Sequence, residues 1–234
     1  LLSEPGIDLL KAIIFDLDGV IVKFNLNSRR IKEDMITGIE ASGFPKGKLS
    51  AEEPFSVMKE MITRHFAFIG KGWMADGIIK KAESVRIEHE VAAARETELL
   101  PGAKRALQFI KGKGLKIALF TYNNSQAAEI ALSRHGIRGC FDVIISRDMV
   151  QKPKPDPAHL SAVLEKLGIK NDEAIVVGDS EMDIKPSKAL GVKVVAMTTG
   201  VGHSEELSSL DPEYVISEMS DLEGIVERLR DVGN

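Results

Sequence analysis

The sequence predicts an α/β fold, a doubly wound parallel sheet with helices on both faces and an all-helical domain inserted into it. Short continuous apolar runs recur along the chain, and several of them stop on an acidic or hydroxyl residue. Segments of helical spacing separate them, and this alternation is what a parallel sheet wound by crossover helices requires. One long early stretch lacks any β-branched run and carries only helical periodicity, so it stands outside the sheet.

Residues 11–16 (KAIIFD) form an apolar run ending on an aspartate, the pattern of a strand buried on both faces. Residues 115–121 (LKIALFT), 142–146 (DVIIS), 174–179 (AIVVGD) and 192–197 (VKVVAM) repeat it, and 214–216 (YVI) reads as an edge strand. Between them, Ala103, Leu107 and Ile110 share a helix face before the Gly112–Gly114 stop. Ala127, Ile130, Ala131 and Leu132 precede His135-Gly136, and Leu160, Val163, Leu164 and Leu167 precede Gly168, a helix C-terminus. The periodic residues Met58, Met61, Ile62, Phe66 and Ile69, and a second helix from Ala75 to about Ala94, belong to the insertion. The expected division is a Rossmann-like core over 1–22 and 98–234, with a helical cap over 23–97 acting as a lid.

A chain of 234 residues suffices for one core and a smaller appended domain. With 44% hydrophobic and 28% charged residues it reads as an ordinary soluble globular protein. A net charge of −4 argues against electrostatic nucleic-acid binding, so an anionic substrate must be met by local cations. The single cysteine, Cys140, excludes an intrachain disulfide. No apolar run approaches the roughly 18–20 residues of a membrane span, and the opening LLSEPGIDLLK lacks the flanks of a signal peptide. A cytoplasmic, monomeric protein is expected.

The informative residues lie at strand ends, where ligands bind in such sheets. In Phe15 to Val20 (FDLDGV), Asp16 and Asp18 are two apart and so point to one side of an extended chain. They suit a nucleophile and a proton carrier if a cation offsets their repulsion, and equally a pair of solvated aspartates. In Val176 to Asp183 (VVGDSEMD), Asp179 ends a strand and Asp183 follows one helical turn later. The pair fits a hard, oxygen-liganded cation such as magnesium, or a helix cap at Asp179 or Ser180. In Gln151 to Pro157 (QKPKPDP), prolines stiffen the backbone around lysines able to neutralise a phosphoryl group, or form an ordinary surface turn. Thr121, in FTYNNS, offers a hydroxyl and the N–H groups of Tyr122 and Asn123 to an oxyanion, or precedes a helix capped by Asn124 or Ser125.

In order and placement these segments resemble the haloacid-dehalogenase-like hydrolase superfamily over nearly the whole chain. The resemblance implies Asp16 as nucleophile, Asp18 as acid/base, Thr121 with Tyr122 and Asn123 at the phosphate, and Lys152, which opens K-P-x-P-D, as the lysine of the third motif. Of the two lysines in that segment, Lys152 matches the third motif better than Lys154 does. The resemblance implies Mg2+ held by the carboxylates of Asp16 and Asp179, the backbone carbonyl of Asp18, and Asp183 directly or through water. The insertion resembles the type 1 cap of phosphoglycolate-phosphatase-like and β-phosphoglucomutase-like members.

The expected function is therefore magnesium-dependent hydrolysis of a small phosphorylated metabolite through an aspartyl phosphate. A phosphosugar mutase and a non-catalytic regulatory protein on the same fold are the alternatives. By the same resemblance, Asp18 argues against carbon–halogen cleavage, since the dehalogenase branch of the superfamily lacks that second aspartate. Within the insertion, Arg29, Arg30 and Arg64 either hold the distal end of the substrate or solvate helix faces, His65 is expected to be structural rather than catalytic, and Trp73 and Met74 are expected in the cap core rather than as a substrate platform.

Overall fold

The computed structural model describes residues 10–200, 202 and 204–231. Residues 1–9, nearly all of the segment read for a leader, lie outside the described residues, as does His203. Six strands, β1 (Ala12–Phe15), β2 (Lys116–Thr121), β3 (Val143–Ser146), β4 (Ala174–Gly178), β5 (Lys193–Met197) and β6 (Tyr214–Ile216), form one sheet in the order β3-β2-β1-β4-β5-β6. Every pairing is parallel. The doubly wound expectation holds, with β1 central and the order reversing between β1 and β4.

The helices are α1 (Ser28–Ala41), α2 (Phe55–Phe68), α3 (Ala75–Glu96), α4 (Ala103–Gly112), α5 (Ser125–Arg134), α6 (Pro157–Leu167), α7 (Glu181–Leu190), α8 (Ser204–Ser209) and α9 (Asp221–Asp231). On one sheet face Ala12, Ile14, Ala118, Phe120, Val176 and Val194 pack with Leu160, Val163, Leu164 and Leu167 of α6 and Ile184 of α7. The alternate residues Ile13, Phe15, Ile117, Leu119, Ile175 and Val177 are buried as well, while α4 packs on β2 and α9. Strands covered on both faces are why the runs read as continuous rather than alternating. Each such side chain contributes roughly 1.5–3 kcal/mol by leaving water.

Register places the chemistry. Phe15 pairs with Leu119 on one side and Val177 on the other, so the strands end together. Asp16, Thr121 and Asp179 consequently emerge at the same carboxyl edge. Beyond Asp16 the chain turns tightly, with Ile21 and Val22 N–H both donating to the Leu17 carbonyl, at 2.9 and 3.0 Å.

The chain divides into two compact units, Leu1–Asn25 with Ala94–Asn234, and Leu26–Ala93. The linkers belong to the strand-bearing unit because they pair with each other. Val22 bridges Leu99 antiparallel, Lys23 N–H donates to Glu98 O at 2.8 Å, and Leu100 N–H donates to Ile21 O at 3.0 Å. That pairing puts the unit boundary a few residues inside the 23–97 span read from sequence.

The helical unit has its own core of Met35, Ile39, Met58, Ile62, Phe66 and Ala82. It contains α1, a helix the spacing did not single out. His65 stands edge-on to Phe44 and Phe66, with ring centroids 5.0 and 5.2 Å away, a packing role. Trp73 departs from expectation: it is 82% exposed. It sits in a single 3-10 turn, Gly72–Met74, which turns Met74 toward the core and Trp73 to solvent.

Candidate active site

The clustered acidic residues all belong to the strand-bearing unit. Asp16 follows β1, and its backbone N–H continues the sheet ladder to Val177 O at 2.9 Å. One carboxylate oxygen accepts from the Leu17 N–H at 2.7 Å, which fixes its rotamer. Asp179 follows β4 and Asp183 lies in the first turn of α7. One carboxylate oxygen from each of Asp16, Asp179 and Asp183 lies within 4.8 Å of the other two. All three residues are buried.

Glycines make this convergence possible. A Cβ at Gly178 would lie 2.2 Å from the Cβ of Asp183, and one at Gly200 would lie 1.7 Å from Asp179 Oδ2. Gly19, at φ +74°, takes the left-handed backbone the turn demands and also leaves room for Asp179 Oδ2, 2.5 Å from where a Cβ would stand. Ser180 is the N-cap residue of α7, but its hydroxyl makes no cap bond and instead donates to Asp183 Oδ2 at 2.9 Å.

The cation beside the cluster is Lys154, which corrects the expectation of Lys152. Lys152 is exposed. Lys154 is 2% exposed, and its Nζ reaches Asp16 Oδ1 at 2.8 Å, Asp183 Oδ1 at 2.6 Å and the Phe120 carbonyl at 3.1 Å. Those acceptors saturate the donors of an ammonium. The physical reason lies in where α6 begins. Asp156 caps it, accepting from Ala158 N–H at 2.9 Å, with Pro157 in the first turn, and Lys154 precedes that cap by two residues. K-P-x-P therefore occurs twice, from Lys152 and from Lys154, and the helix cap picks out the second.

Electrostatics follow from this geometry. Burial pushes the Asp16 carboxyl up, Lys154 pulls it down, and Asp183 and Asp179 push it up again, leaving it at about 8. For Lys154, burial disfavours the charge, yet Asp16 and Asp183 outweigh it and hold the ammonium above the ordinary lysine range. Three clustered carboxyls beside one ammonium carry more acid than that cation balances, and the raised Asp16 expresses the shortfall. Hard oxygen donors with unbalanced charge are what a divalent cation of the magnesium type takes, so these residues fit the implied metal.

Asp18 stands outside the carboxylate cluster. Its Oδ2 accepts from Asn123 Nδ2 at 2.5 Å. Thr121 is buried, and its Oγ1 accepts from the Asn123 N–H at 3.2 Å, so that amide, expected to face a phosphate, here points at the hydroxyl. Asn124 caps α5, accepting from Ala127 N–H at 3.1 Å, as the cap reading of this segment expects. Tyr122 offers its carbonyl to Arg147 Nη1 at 2.9 Å, beneath a guanidinium 5.6 Å from its ring. Arg147 N–H donates to Asn123 O at 3.1 Å. The side-chain role of Asn123, and Arg147 and Gly200, carried no motif signal in the sequence, and Ser180 was marked there only as a cap candidate.

A family profile described as haloacid dehalogenase-like hydrolase matches residues 13–197, a span that contains every residue of this cluster. The chain belongs to that family. As a haloacid dehalogenase-like hydrolase it is an enzyme, with the acidic cluster at the carboxyl edge of its sheet. Among curated relatives it is 27% identical to pyrophosphatase PpaX of Halalkalibacterium halodurans, covering 93% of this chain and 97% of that one. It is 29% identical to a phosphoglycolate phosphatase of Vibrio vulnificus, covering 93% and 96%. Among solved structures, a hydrolase from Pseudomonas syringae superposes with a TM-score of 0.70 at 21% identity, over 93% of this chain and 98% of that one. At that identity the superposition speaks for the fold alone.

Proposed function

We propose that this haloacid dehalogenase-like phosphatase hydrolyses a small-molecule phosphate monoester, with Mg2+ and through an aspartyl phosphate on Asp16. The observation that carries the reading is the double engagement of Asp16: one carboxylate shares the Asp179–Asp183 cluster and pairs with Lys154 at 2.8 Å. The carboxylates of Asp16, Asp179 and Asp183, with the backbone carbonyl of Asp18, would hold the cation. When bound, it supplies charge neutralisation to a phosphoryl group and to the carboxylate that attacks it.

The chain's own residues do the rest. Lys154 offsets the charge on Asp16, so the nucleophile and an anionic phosphate can approach. An oxygen of Asp16 attacks phosphorus, the bond from phosphorus to the ester oxygen breaks, and protonated Asp18 donates its proton to that leaving oxygen. Water then attacks the same phosphorus and gives a proton to Asp18, which releases inorganic phosphate and restores Asp16. Asn123 holds Asp18 through a hydrogen bond to Oδ2 at 2.5 Å, and Thr121 offers its hydroxyl to a phosphoryl oxygen.

The names of the relatives set the first compounds to try, the monoester phosphoglycolate and, as a phosphoanhydride beside it, pyrophosphate. A phosphate-release screen over small phosphate esters, with and without Mg2+, tests the reading. Release that depends on Mg2+ supports it. A purified protein that releases no phosphate from any of them, or that only isomerises a hexose 1-phosphate, sinks it.

A further inference from the structure

We infer that His159 is a positioning residue for Lys154, holding the lysine's backbone so that its ammonium is delivered to Asp16 and Asp183. The inference rests on the reading of Lys154 as the charge-neutralising lysine of the phosphoryl transfer. It adds a residue that no motif in the sequence marks.

His159 lies in the first turn of α6 and is fully buried. Its Nδ1 is 3.1 Å from the Lys154 backbone nitrogen, and its Nε2 is 3.1 Å from the Ile145 carbonyl of β3. Those partners decide the tautomer. A backbone N–H only donates and a carbonyl only accepts, so Nδ1 carries no proton and Nε2 carries one. Protonating Nδ1 would set one N–H against another, and burial agrees with this by pushing the imidazole down to about 4.

Phe120 completes the arrangement. Its ring packs edge-on against the imidazole, with centroids 4.6 Å apart, and its carbonyl accepts from Lys154 Nζ at 3.1 Å. The lysine is thus tied at both ends: His159 holds the backbone, while Asp16, Asp183 and Phe120 hold the ammonium. A free lysine side chain carries up to about 2 kcal/mol of rotamer entropy, so a fixed backbone origin narrows what the carboxylates must still order. Losing the imidazole acceptor orphans a buried N–H and frees the segment between Val150 and the helix cap to shift.

Two variants separate this role from plain packing, because asparagine places a polar atom near the position of Nδ1 and glutamine near that of Nε2. With p-nitrophenyl phosphate and Mg2+, His159→Asn is expected to keep kcat within about threefold. His159→Gln and His159→Leu are expected to lose about 10–100-fold in kcat with KM little changed, the scale of a roughly 1 Å misplacement. A second readout needs no turnover: in the 15N-labelled parent, a two-bond coupling across the hydrogen bond should join the Lys154 amide nitrogen to His159 Nδ1. Absence of that coupling overturns the inference, as do equal kcat values in the Asn and Gln variants or a loss in Asn that Gln escapes. Should the parent release phosphate from no ester, the functional reading fails while the coupling still decides whether His159 holds Lys154.

Discussion

In the strand-bearing unit Lys154 is 2% exposed and meets Asp183, itself fully buried, at 2.6 Å. In the helical unit Arg29, Arg30 and Arg64 are 73%, 64% and 78% exposed, and each pairs with a carboxylate one turn away on its own helix, Glu33, Asp34 and Glu60. The contrast separates charge that organises chemistry from charge that solvates a surface. Exposed pairs at i,i+4 contribute about 0.3–0.5 kcal/mol, which favours the solvated-face reading of those arginines over distal substrate recognition. Desolvating an ion pair costs several kcal/mol per ion unless every lone pair and proton is matched. A cluster of that kind persists where the fold pays for it with hydrogen bonds from every side, as Lys154, Ser180 and the Leu17 N–H supply here.

The largest effect expected on this contrast is at Asp16, the proposed nucleophile. Asp16→Asn should lower phosphate release by roughly 10⁴–10⁶-fold, the range for removing one member of a group that acts as a unit. Near-parental turnover in that variant would break the assignment. Asp18→Asn should lower kcat by about 10²–10⁴-fold, as loss of acid/base help does, and the loss should be smaller for a phosphate ester with a good leaving group.

The two lysines sharpen the contrast next. Lys154→Met should cost about 10²–10³-fold in kcat and several degrees in Tm, since it leaves buried carboxylates facing one another. Lys152→Met should stay within about twofold on both readouts, as an exposed surface change does. A reversal of that order would return the role to Lys152.

Smaller still is a pH effect on stability. His159 is held at about 4 against an ordinary value of 6.5, so between those values the unfolded chain takes up a proton that the folded chain refuses. Its contribution is complete above pH 6.5 and is lost as pH falls toward 4, by up to about 1.4 kcal/mol per pH unit. Thermal melts should therefore show a steeper acid loss in the parent than in His159→Asn, and parallel curves would contradict the shift. Smallest of all, Arg64→Ala should change stability by no more than about 0.5 kcal/mol in chemical denaturation, and a larger loss would mean that the pair is not a surface pair.

Much of this was legible in the sequence because strands covered on both faces write themselves as unbroken apolar runs, and because Asp16, Asp179 and Asp183 stand at or just beyond the ends of two of them. Where reading failed, the deciding partner lay elsewhere in the chain or in a local cap. Lys152 and Lys154 both open K-P-x-P, and only the Asp156–Pro157 start of α6 tells them apart. Trp73 looked like core because tryptophan usually is, but one 3-10 turn faces it outward. The bonds from Asn123 to Asp18 and from Lys154 to Asp183 span 105 and 29 residues, and no spacing rule reaches that far.

The most direct test of the proposed phosphoaspartate is chemical trapping during turnover. Acid-quenched enzyme, reduced with borohydride and read by peptide mass spectrometry, should carry homoserine in place of aspartate at position 16 and nowhere else. Active turnover that leaves Asp16 unmodified while another carboxylate is reduced would contradict the account.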